Sequence, residues 1–347
     1  MANEIEKVNT IAIASIEAIN TRTDENIQAF NSFEFTGVVP YTGITYTTGA
    51  TDAHRGGHGA TGSITNMIVI GGYDTSGGNL GTTREYNGTS WANGGNMEAS
   101  CSGMRMSGTG TAAIYFGGYD PNVASYTDRS EKYDGTSWAD SASLVRGMAN
   151  MGSGVNDSNC IHPCGSLATG GQDATNQLWD DTSWADGSDV GSIVVAGGTV
   201  GNSTDAMIIS GYQYDAGDET TDCEILDGTT WSSSASNSIQ TRYNCSWGNG
   251  SSQAWITGGI DYKDAYGSPT PHVVYQECDY WNGTSWANDT DTPGSDGKSS
   301  LNPNGANGGN SGTAGAMIVF GRSYQGTGSY QWPEPFTNLS TTDEATW

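Results

Sequence analysis

The sequence predicts an all-β protein built from six consecutive repeats, and three observations carry that prediction. One phrase recurs along the chain: Tyr86-Asn87-Gly88-Thr89-Ser90-Trp91, Tyr133-Asp134-Gly135-Thr136-Ser137-Trp138, Trp179-Asp180-Asp181-Thr182-Ser183-Trp184, Leu226-Asp227-Gly228-Thr229-Thr230-Trp231 and Trp281-Asn282-Gly283-Thr284-Ser285-Trp286, with a decayed Asp343-Glu344-Ala345-Thr346-Trp347. Its terminal tryptophans lie 47, 46, 47, 55 and 61 residues apart, a spacing that belongs to repeat architectures. The composition is that of a turn-rich, aromatic-cored chain, with 51 Gly, 11 Trp and 17 Tyr in 347 residues.

Residues 1–40 stand apart from the repeats. The stretch from Val8 to Asn31 has no glycine and is rich in isoleucine. Ile13, Ile16 and Ile19 are three apart, which predicts one side of a short helix capped by Thr10. Thr23 reads as the N-cap of a second short helix carrying Ile27 and Phe30, with Asp24 and Glu25 in its first turn. Two such helices cannot bury their apolar faces alone; they need the repeats, sister copies or another protein. Val8, Ile11, Ile13, Ile16, Ile19, Ile27 and Phe30 are the anchoring residues this reading selects.

Residues 41–49, Tyr-Thr-Gly-Ile-Thr-Tyr-Thr-Thr-Gly, alternate in a β-prone way and lead into the repeats. Each repeat begins with a Gly-rich stretch, often led by arginine, as at Arg55-Gly56-Gly57-His58-Gly59, Arg105-Met106-Ser107-Gly108, Arg146-Gly147-Met148 and Arg242-Tyr243-Asn244-Cys245. Small residues suit an inner strand where several strands crowd together. An apolar run closed by glycine comes next: Met67–Gly72, Ala113–Gly118, Leu167–Gly171, Met207–Gly211, Trp255–Gly259 and Met317–Gly321. Such runs read as strands buried on both faces. The recurring phrase then supplies an aromatic strand, an Asx-Gly hairpin turn with both central residues at positive φ, and a Trp strand. About four antiparallel strands per repeat result.

A hydrophobic run, a Gly-Gly pair and a downstream Tyr and Trp resemble the kelch repeat over roughly residues 50–347. The Tyr-to-Trp segment is shorter here, and Arg322 replaces the second glycine of the sixth copy. The resemblance implies a six-bladed kelch-like β-propeller, residues 41–347, preceded by a short α-helical or extended adapter, residues 1–40. The last blade lacks an outer strand, so 41–49 is expected to supply it and close the ring by strand exchange. Val8 to Phe35 in turn resembles the Ile/Asn-rich leader that precedes displayed domains on virion proteins of marine, especially cyanobacterial, phages. That likeness implies a plug into the particle with a variable head outside.

The formal charge of −26, from 12 basic and 38 acidic residues, disfavours nucleic acid and anionic membranes as partners. No signal peptide or membrane-spanning stretch is visible, so Asn87 and Asn282, each in an Asn-x-Thr triplet, read as turn chemistry. The periodic tryptophans read as packing. No cofactor is expected; Ca²⁺ is the one candidate, at the acid-rich stretches Asp215–Asp222 and Asn288–Asp291, which lack EF-hand spacing and read more plainly as solvated loops. Cys160-Ile161-His162-Pro163-Cys164 is half of a zinc pattern with no second half, which favours a small disulfide or free thiols.

These readings converge on a non-enzymatic structural protein of a phage virion. It would be made in the host cytoplasm, joined to other virion proteins through its N-terminus, and displayed at the particle surface as a tail-associated or capsid-decorating protein, with copies of itself as further partners. Irregular insertions at 259–280 and 321–336 carry aromatic candidates for a host glycan: Tyr262, Tyr266, Tyr324, Tyr330 and Trp332. The alternative is a glycan-active enzyme or soluble lectin. Against the enzyme, the Asp of a sialidase Asp box is misplaced in Gly-Thr-Ser-Trp. The four His residues, 54, 58, 162 and 272, yield no copper-oxidase set, and no pair of carboxylates stands out among 38 acids. Arg55, Arg105, Arg146 and Arg242 read first as inter-repeat bonding and second as an anion cluster.

Overall fold

The computed structural model describes residues 57–261 and 277–291, apart from scattered positions within them, and elsewhere only the backbones of short strands. The chain divides into two units, Met1–Gly43 with Trp347, and Ile44–Thr346. Strands dominate both; the one helical element among the described residues is the 3-10 turn Gly250–Ser252.

The larger unit holds six principal antiparallel sheets, five of four strands and one of five. The first is Gly59–Ser63, Asn66–Ile70, Thr83–Tyr86 and Trp91–Asn93. The second is Arg105–Thr109, Ala112–Phe116, Ser130–Tyr133 and Trp138–Asp140. The third is Ser153–Asn156, Asn159–His162, Thr175–Trp179 and Trp184–Asp189. The fourth is Gly198–Asn202, Asp205–Gln213, Asp218–Leu226 and Trp231–Ser234, with Val194–Val195 added beside the long second strand. The fifth is Cys245–Gly248, Ala254–Thr257, Cys278–Trp281 and Trp286–Asn288.

The sixth sheet combines Ser300–Leu301, Ala316–Arg322 and Thr342–Thr346 with Thr45–Thr48 from the other end of the chain, through Asp343↔Thr48 to Thr346↔Thr45. Its outer strand is therefore the segment expected from residues 41–49. The alignment through Trp347 needs correction, however. The register Phe320↔Thr342 matches Phe116↔Ser130, so Ala345 occupies the place of Tyr133, and its partner Tyr46, not Trp347, stands where the second sheet carries the repeated tryptophan.

The recurring phrase folds as a four-residue loop, since Tyr86 pairs with Trp91. Asn87 Oδ1 accepts the backbone N–H groups of Thr89 and Ser90 at 3.0 and 2.9 Å, and Asp134, Asp180, Asp227 and Asn282 do the same in their copies. This Asx turn needs positive φ at one residue only, Gly88 at 91°, so the expected two-residue turn is replaced by a side-chain-capped one. In the third copy Asp181 holds that conformation at 79°. The Asp180 and Asp227 carboxyls are lowered to about 2, Asp180 chiefly by the Thr182 hydroxyl and Asp227 chiefly by the Thr230 N–H.

Across four of these loops aromatics pair, Tyr86 with Trp91 and Tyr133 with Trp138 at 4.9 Å, Trp179 with Trp184 at 5.4 Å and Trp281 with Trp286 at 5.5 Å, and in the fourth repeat Leu226 faces Trp231. Such aromatic contacts contribute about 0.5–1.5 kcal/mol each beyond burial. Apolar clusters join consecutive sheets. Ile68, Ile70, Met104 and Met106 pack with Tyr115 and Trp138, and Val200, Met207 and Ile209 pack with Ile256 and Trp281. First strands of consecutive sheets lie side by side from the first to the fifth. Gly62 and Gly108, at φ 120° and 117°, sit where a Cβ would overlap the carbonyl across the tight turn between the first and second strands, which explains glycine in these crowded strands.

In the second to fifth sheets one equivalent side chain of the third strand ties the sheet to the segment entering it. Glu131 Oε2 accepts Glu98 N–H at 3.2 Å. Gln177 exchanges two bonds with the Arg146 backbone. Glu224 accepts Gly191 and Ser192 N–H at 2.8 and 2.6 Å, and Asp279 accepts Ser238 N–H at 2.7 Å. Glu131 is fully buried and also accepts Tyr115 O–H at 2.5 Å and Arg129 Nη1 at 3.2 Å.

Two further expectations are corrected. The apolar strand of the third repeat is Asn159–His162, not 167–171. Gly165–Leu167 pairs instead with Met148–Ala149 and Gln172–Asp173 in a small separate sheet, so Arg146-Gly147-Met148 does not open the inner strand either. Gly171 belongs to the connection, and the buried strand carries Cys160 and Ile161 without a closing glycine pair.

In the smaller unit the expected helices are replaced by three short hairpins, Lys7–Val8 with Ile11–Ala12, Ala18–Ile19 with Arg22–Thr23, and Ala29–Phe30 with Phe33–Glu34. Each connection is two residues long, Asn9-Thr10, Asn20-Thr21 and Asn31-Ser32. Ile and Val at the strand positions prefer extended backbone, and Asn with Thr or Ser favours turns, which outweighs the three-residue spacing of isoleucines.

Two measurements test this architecture. Glu131→Ala strands the Tyr115 hydroxyl and the Glu98 N–H, and is expected to cost about 2–4 kcal/mol in urea unfolding, with Glu131→Gln milder. Removing residues 1–43 is expected to leave the melting temperature of the six sheets unchanged. Removing 1–50 takes away Thr45–Thr48, exposes the edge of Thr342–Thr346, and is expected to lower melting and promote aggregation in light scattering.

Candidate functional site

In a four-stranded antiparallel sheet the connections between strands two and three, and those from strand four to the next sheet, leave from one end. The Asx loops and the tight first turns leave from the other. That second end is uniform and internally bonded: Asn159 Oδ1 accepts Ser203 N–H at 3.0 Å, Asp205 Oδ1 accepts Ser251 N–H at 2.7 Å, and Lys132 bridges Asp157 and Asp181 at 2.9 and 2.6 Å. The first end carries the long, irregular connections, and candidate function concentrates there.

In the fourth repeat the long strands Asp205–Gln213 and Asp218–Leu226 extend past the rest of their sheet, held by Gly211↔Thr220 to Gln213↔Asp218. The extension brings Asp218 and Glu219 beside Asp261 of the fifth repeat, with one carboxylate oxygen from each within 4.8 Å of the others. Glu219 and Asp261 are buried and Asp218 is exposed. Arg242 Nε pairs with Glu219 Oε1 at 2.9 Å while its guanidinium covers the Tyr212 ring at 4.8 Å, and Gln240 Nε2 donates to the Glu219 carbonyl at 2.7 Å. Burial raises the Glu219 carboxyl to about 7, against the opposing pull of Arg242 and with help from Asp261. Three carboxylate oxygens suit a hard cation such as Ca²⁺, which takes six to eight oxygens. Arg242 already neutralises one of the three, so a cation would compete with that ion pair.

Only part of the expected Ca²⁺ stretch takes part. Asp222 accepts the Ser236 hydroxyl at 3.3 Å, and Asp289, in the second stretch, accepts Trp255 Nε1 at 3.1 Å. Asp261 carries no signal in the sequence, because its approach depends on the strand extension of the preceding repeat.

The second repeat carries another feature at this end. Tyr119–Asp120 pairs with Ser125–Tyr126, their rings 6.2 Å apart, and places Val123 at the tip, 65% exposed, beside Ala124 at φ 51°. Tyr119 is itself 37% exposed. The available signal was the insertion Tyr119-Asp120-Pro121-Asn122 directly after the glycine pair. Tyr262, Tyr266, Tyr324, Tyr330 and Trp332 lie in the corresponding connections of the fifth and sixth repeats, outside the described residues. Of the anchoring residues, Val8, Ile11, Ile19 and Phe30 fall on the hairpin strands, and Ile13, Ile16 and Ile27 lie outside the described residues.

The arginine series separates. Arg105 is buried on its inner strand, its guanidinium lowered to about 10 by that burial. Arg146 pairs with Asp173 and with Asp186, the latter at 2.7 Å; Arg242 pairs with Glu219; Arg55 lies outside the described residues. His162 is fully buried against Phe116, and burial together with the nearby Arg105 charge lowers it to about 3. All six cysteines are free and buried, with Cys164 raised to about 12 by desolvation and its Sγ donating to the Val194 carbonyl at 3.2 Å. Cys160 and Cys164 form no disulfide with each other, so of the two sequence expectations it is the free thiols that the structure shows.

No protein-family model matches the chain, and no curated protein sequence matches it.

A carboxyl raised by folding stabilises most below its unfolded pKa, and that contribution is lost as pH rises through the folded value. Glu219 is therefore expected to make the protein lose about 1–3 kcal/mol between pH 5 and 8. Glu219→Gln flattens that slope, read by urea unfolding at the two pH values.

Proposed function

We propose that this chain is a non-enzymatic structural protein of a phage virion. Residues 1–43 join it to the particle, and the six sheets close into a six-bladed, kelch-like propeller displayed for contact with the host surface. The observation that carries this reading is the division of the chain into a small hairpin unit and a larger sheet unit whose irregular connections share one end. Such a division suits a constant plug and a variable head.

Ring closure is supported by the completion of the sixth sheet with Thr45–Thr48, and by the proximity of Ala316–Arg322 to Gly59–Ser63 of the first. In such a ring the sixth sheet keeps its outer strand, and the edges that remain are short ones, as at Trp91–Asn93 and Trp138–Asp140. The acids with a visible role are occupied structurally: Glu131, Glu224 and Asp279 cap backbone, and Asp173 and Asp186 hold Arg146.

The chemistry at the irregular end suits a host glycan. Tyr119, Tyr126 and the tyrosines and tryptophan of the fifth and sixth connections supply faces for sugar rings, and surrounding acids supply acceptors for hydroxyls. A surface with a formal charge of −26 disfavours nucleic acid and anionic membrane as partners.

Mass spectrometry of purified particles, with localisation by electron microscopy, tests the placement. The chain is expected in fixed copy number, and deletion of residues 1–43 is expected to abolish incorporation while the sheets still fold. Absence from particles, or incorporation unaffected by the deletion, would overturn the reading.

A further inference from the structure

His162 ends the second strand of the third sheet and is fully buried against the second sheet, its ring 6.1 Å from Phe116. The ring fills space that glycines leave. A Cβ at Gly117 of the second repeat would lie 3.7 Å from its Nε2, and one at Gly165 would lie 3.2 Å from its Cε1. Neither ring nitrogen makes a well-formed hydrogen bond among the described residues. The charges nearby oppose a proton. Arg105 acts from the inner strand of the second sheet and Arg146 from the segment entering the third repeat, and both disfavour an imidazolium. Asp173, on the small separate sheet, and the Cys164 backbone favour it, but Asp173 is already paired with Arg146. The thiols two residues to either side, Cys160 and Cys164, are held uncharged by burial. A neutral imidazole packs here as an apolar ring; as a cation beside two guanidiniums it does not.

This ring stands at the joint of two sheets, where Ile114 and Phe116 of the second pack with Cys160, Trp179 and Trp184 of the third. The joint is fastened towards the Asx loops, by Lys132 on Asp157 and Asp181 at 2.9 and 2.6 Å and by the Ser107 hydroxyl on the Asn156 carbonyl at 2.7 Å. His162 lies at the opposite, irregular end. The third sheet also buries polar atoms that have no partner among the described residues: both amide atoms of Asn176, Trp184 Nε1 and Ser188 Oγ. Such groups gain water when a joint opens, which makes local opening easiest here. We propose that the joint between the second and third sheets is an acid-operated switch with His162 as its sensor, closed at neutral pH and opened at its irregular end in mild acid.

Burial, and after it the Arg105 charge, holds the imidazole at about 3 in the closed joint, against 6.5 once it is exposed. Protons therefore bind the open form in preference. The advantage of the closed form is complete above the exposed value and is lost as pH falls towards the buried one, the open population gaining up to about tenfold per pH unit. Opening bares the aromatic cluster, an apolar surface that neutral solution does not meet. Between the fourth and fifth repeats Glu219 gives the opposite dependence, so mild acid loosens one joint and not all.

Thiol labelling of the full chain with dithiodipyridine, a reagent active in acid, tests the switch, the labelled cysteines being assigned by peptide mass spectrometry. Cys160 lies in the cluster that opens, and Cys223 lies in the cluster shared by the fourth and fifth sheets. Between about pH 7 and about pH 4.5 the Cys160 rate is expected to rise at least tenfold relative to that of Cys223. His162→Gln and His162→Leu remain uncharged throughout and are expected to remove that rise. A merely structural loss would instead raise labelling equally at both pH values. A wild-type Cys160 rate that only follows Cys223, or a rise that persists in either folded variant, would overturn the inference.

Discussion

The second to fifth sheets depend on one recurring constraint: a polar side chain in the third strand that captures the backbone of the segment entering its own sheet. Glu131, Gln177, Glu224 and Asp279 occupy equivalent positions, and each satisfies N–H groups that the incoming chain cannot pair within a strand. A buried N–H without a partner costs about 1–3 kcal/mol. Capturing it from the same sheet fixes where that sheet begins relative to the one before. Apolar packing between sheets is non-directional and would tolerate a slip; these bonds do not. The tryptophan pairs then fill the space that the fixed spacing leaves, as Trp138 shows by also donating to Thr83 Oγ1 of the preceding sheet at 2.9 Å.

Because register is set by these bonds, the connections at the opposite end from the Asx loops are free to vary. The second repeat grows a hairpin there, the third a small separate sheet, the fourth a longer strand pair, and the fifth carries Ile260–Asp261 paired with Val273–Val274. The acidic cluster at Asp218, Glu219 and Asp261 is a product of this variation, two neighbouring elaborations meeting. A recognition surface evolves most readily under these conditions, on loops held by a scaffold that does not need them.

Legibility in the sequence obeys the same division. The phrase ending in tryptophan announced the third and fourth strands because the Asx turn and the aromatic pair are local, separated by five residues. The strand within residues 41–49 was legible through its alternation and through the count of strands. The third repeat misled, since Gly170-Gly171 resembles the glycine pair that closes a buried strand, while Asn159–His162 is too short and too polar to stand out. Asp261 was illegible because its neighbours are in another repeat. The capping acids were hidden among 38, although their fixed place two residues before the aromatic of each phrase, as in Glu131 and Tyr133, was a usable signal.

The leader is the instructive case. Ile13, Ile16 and Ile19 satisfy a helical spacing, and the same region satisfies a repeat of hairpins; the two readings differ in which residues they leave unexplained. A helix gives no reason for asparagine at 9, 20 and 31, whereas a hairpin needs a turn-former at each of those places. A helix also predicts apolar residues every three or four positions, yet Arg22, Thr23, Asp24, Glu25 and Asn26 interrupt that pattern. Local propensity settles the competition: β-branched residues lose side-chain freedom in a helix and retain it in a strand, and nothing in this stretch compensates that loss. Periodicity in a short apolar segment is therefore best tested against the polar residues it must also account for.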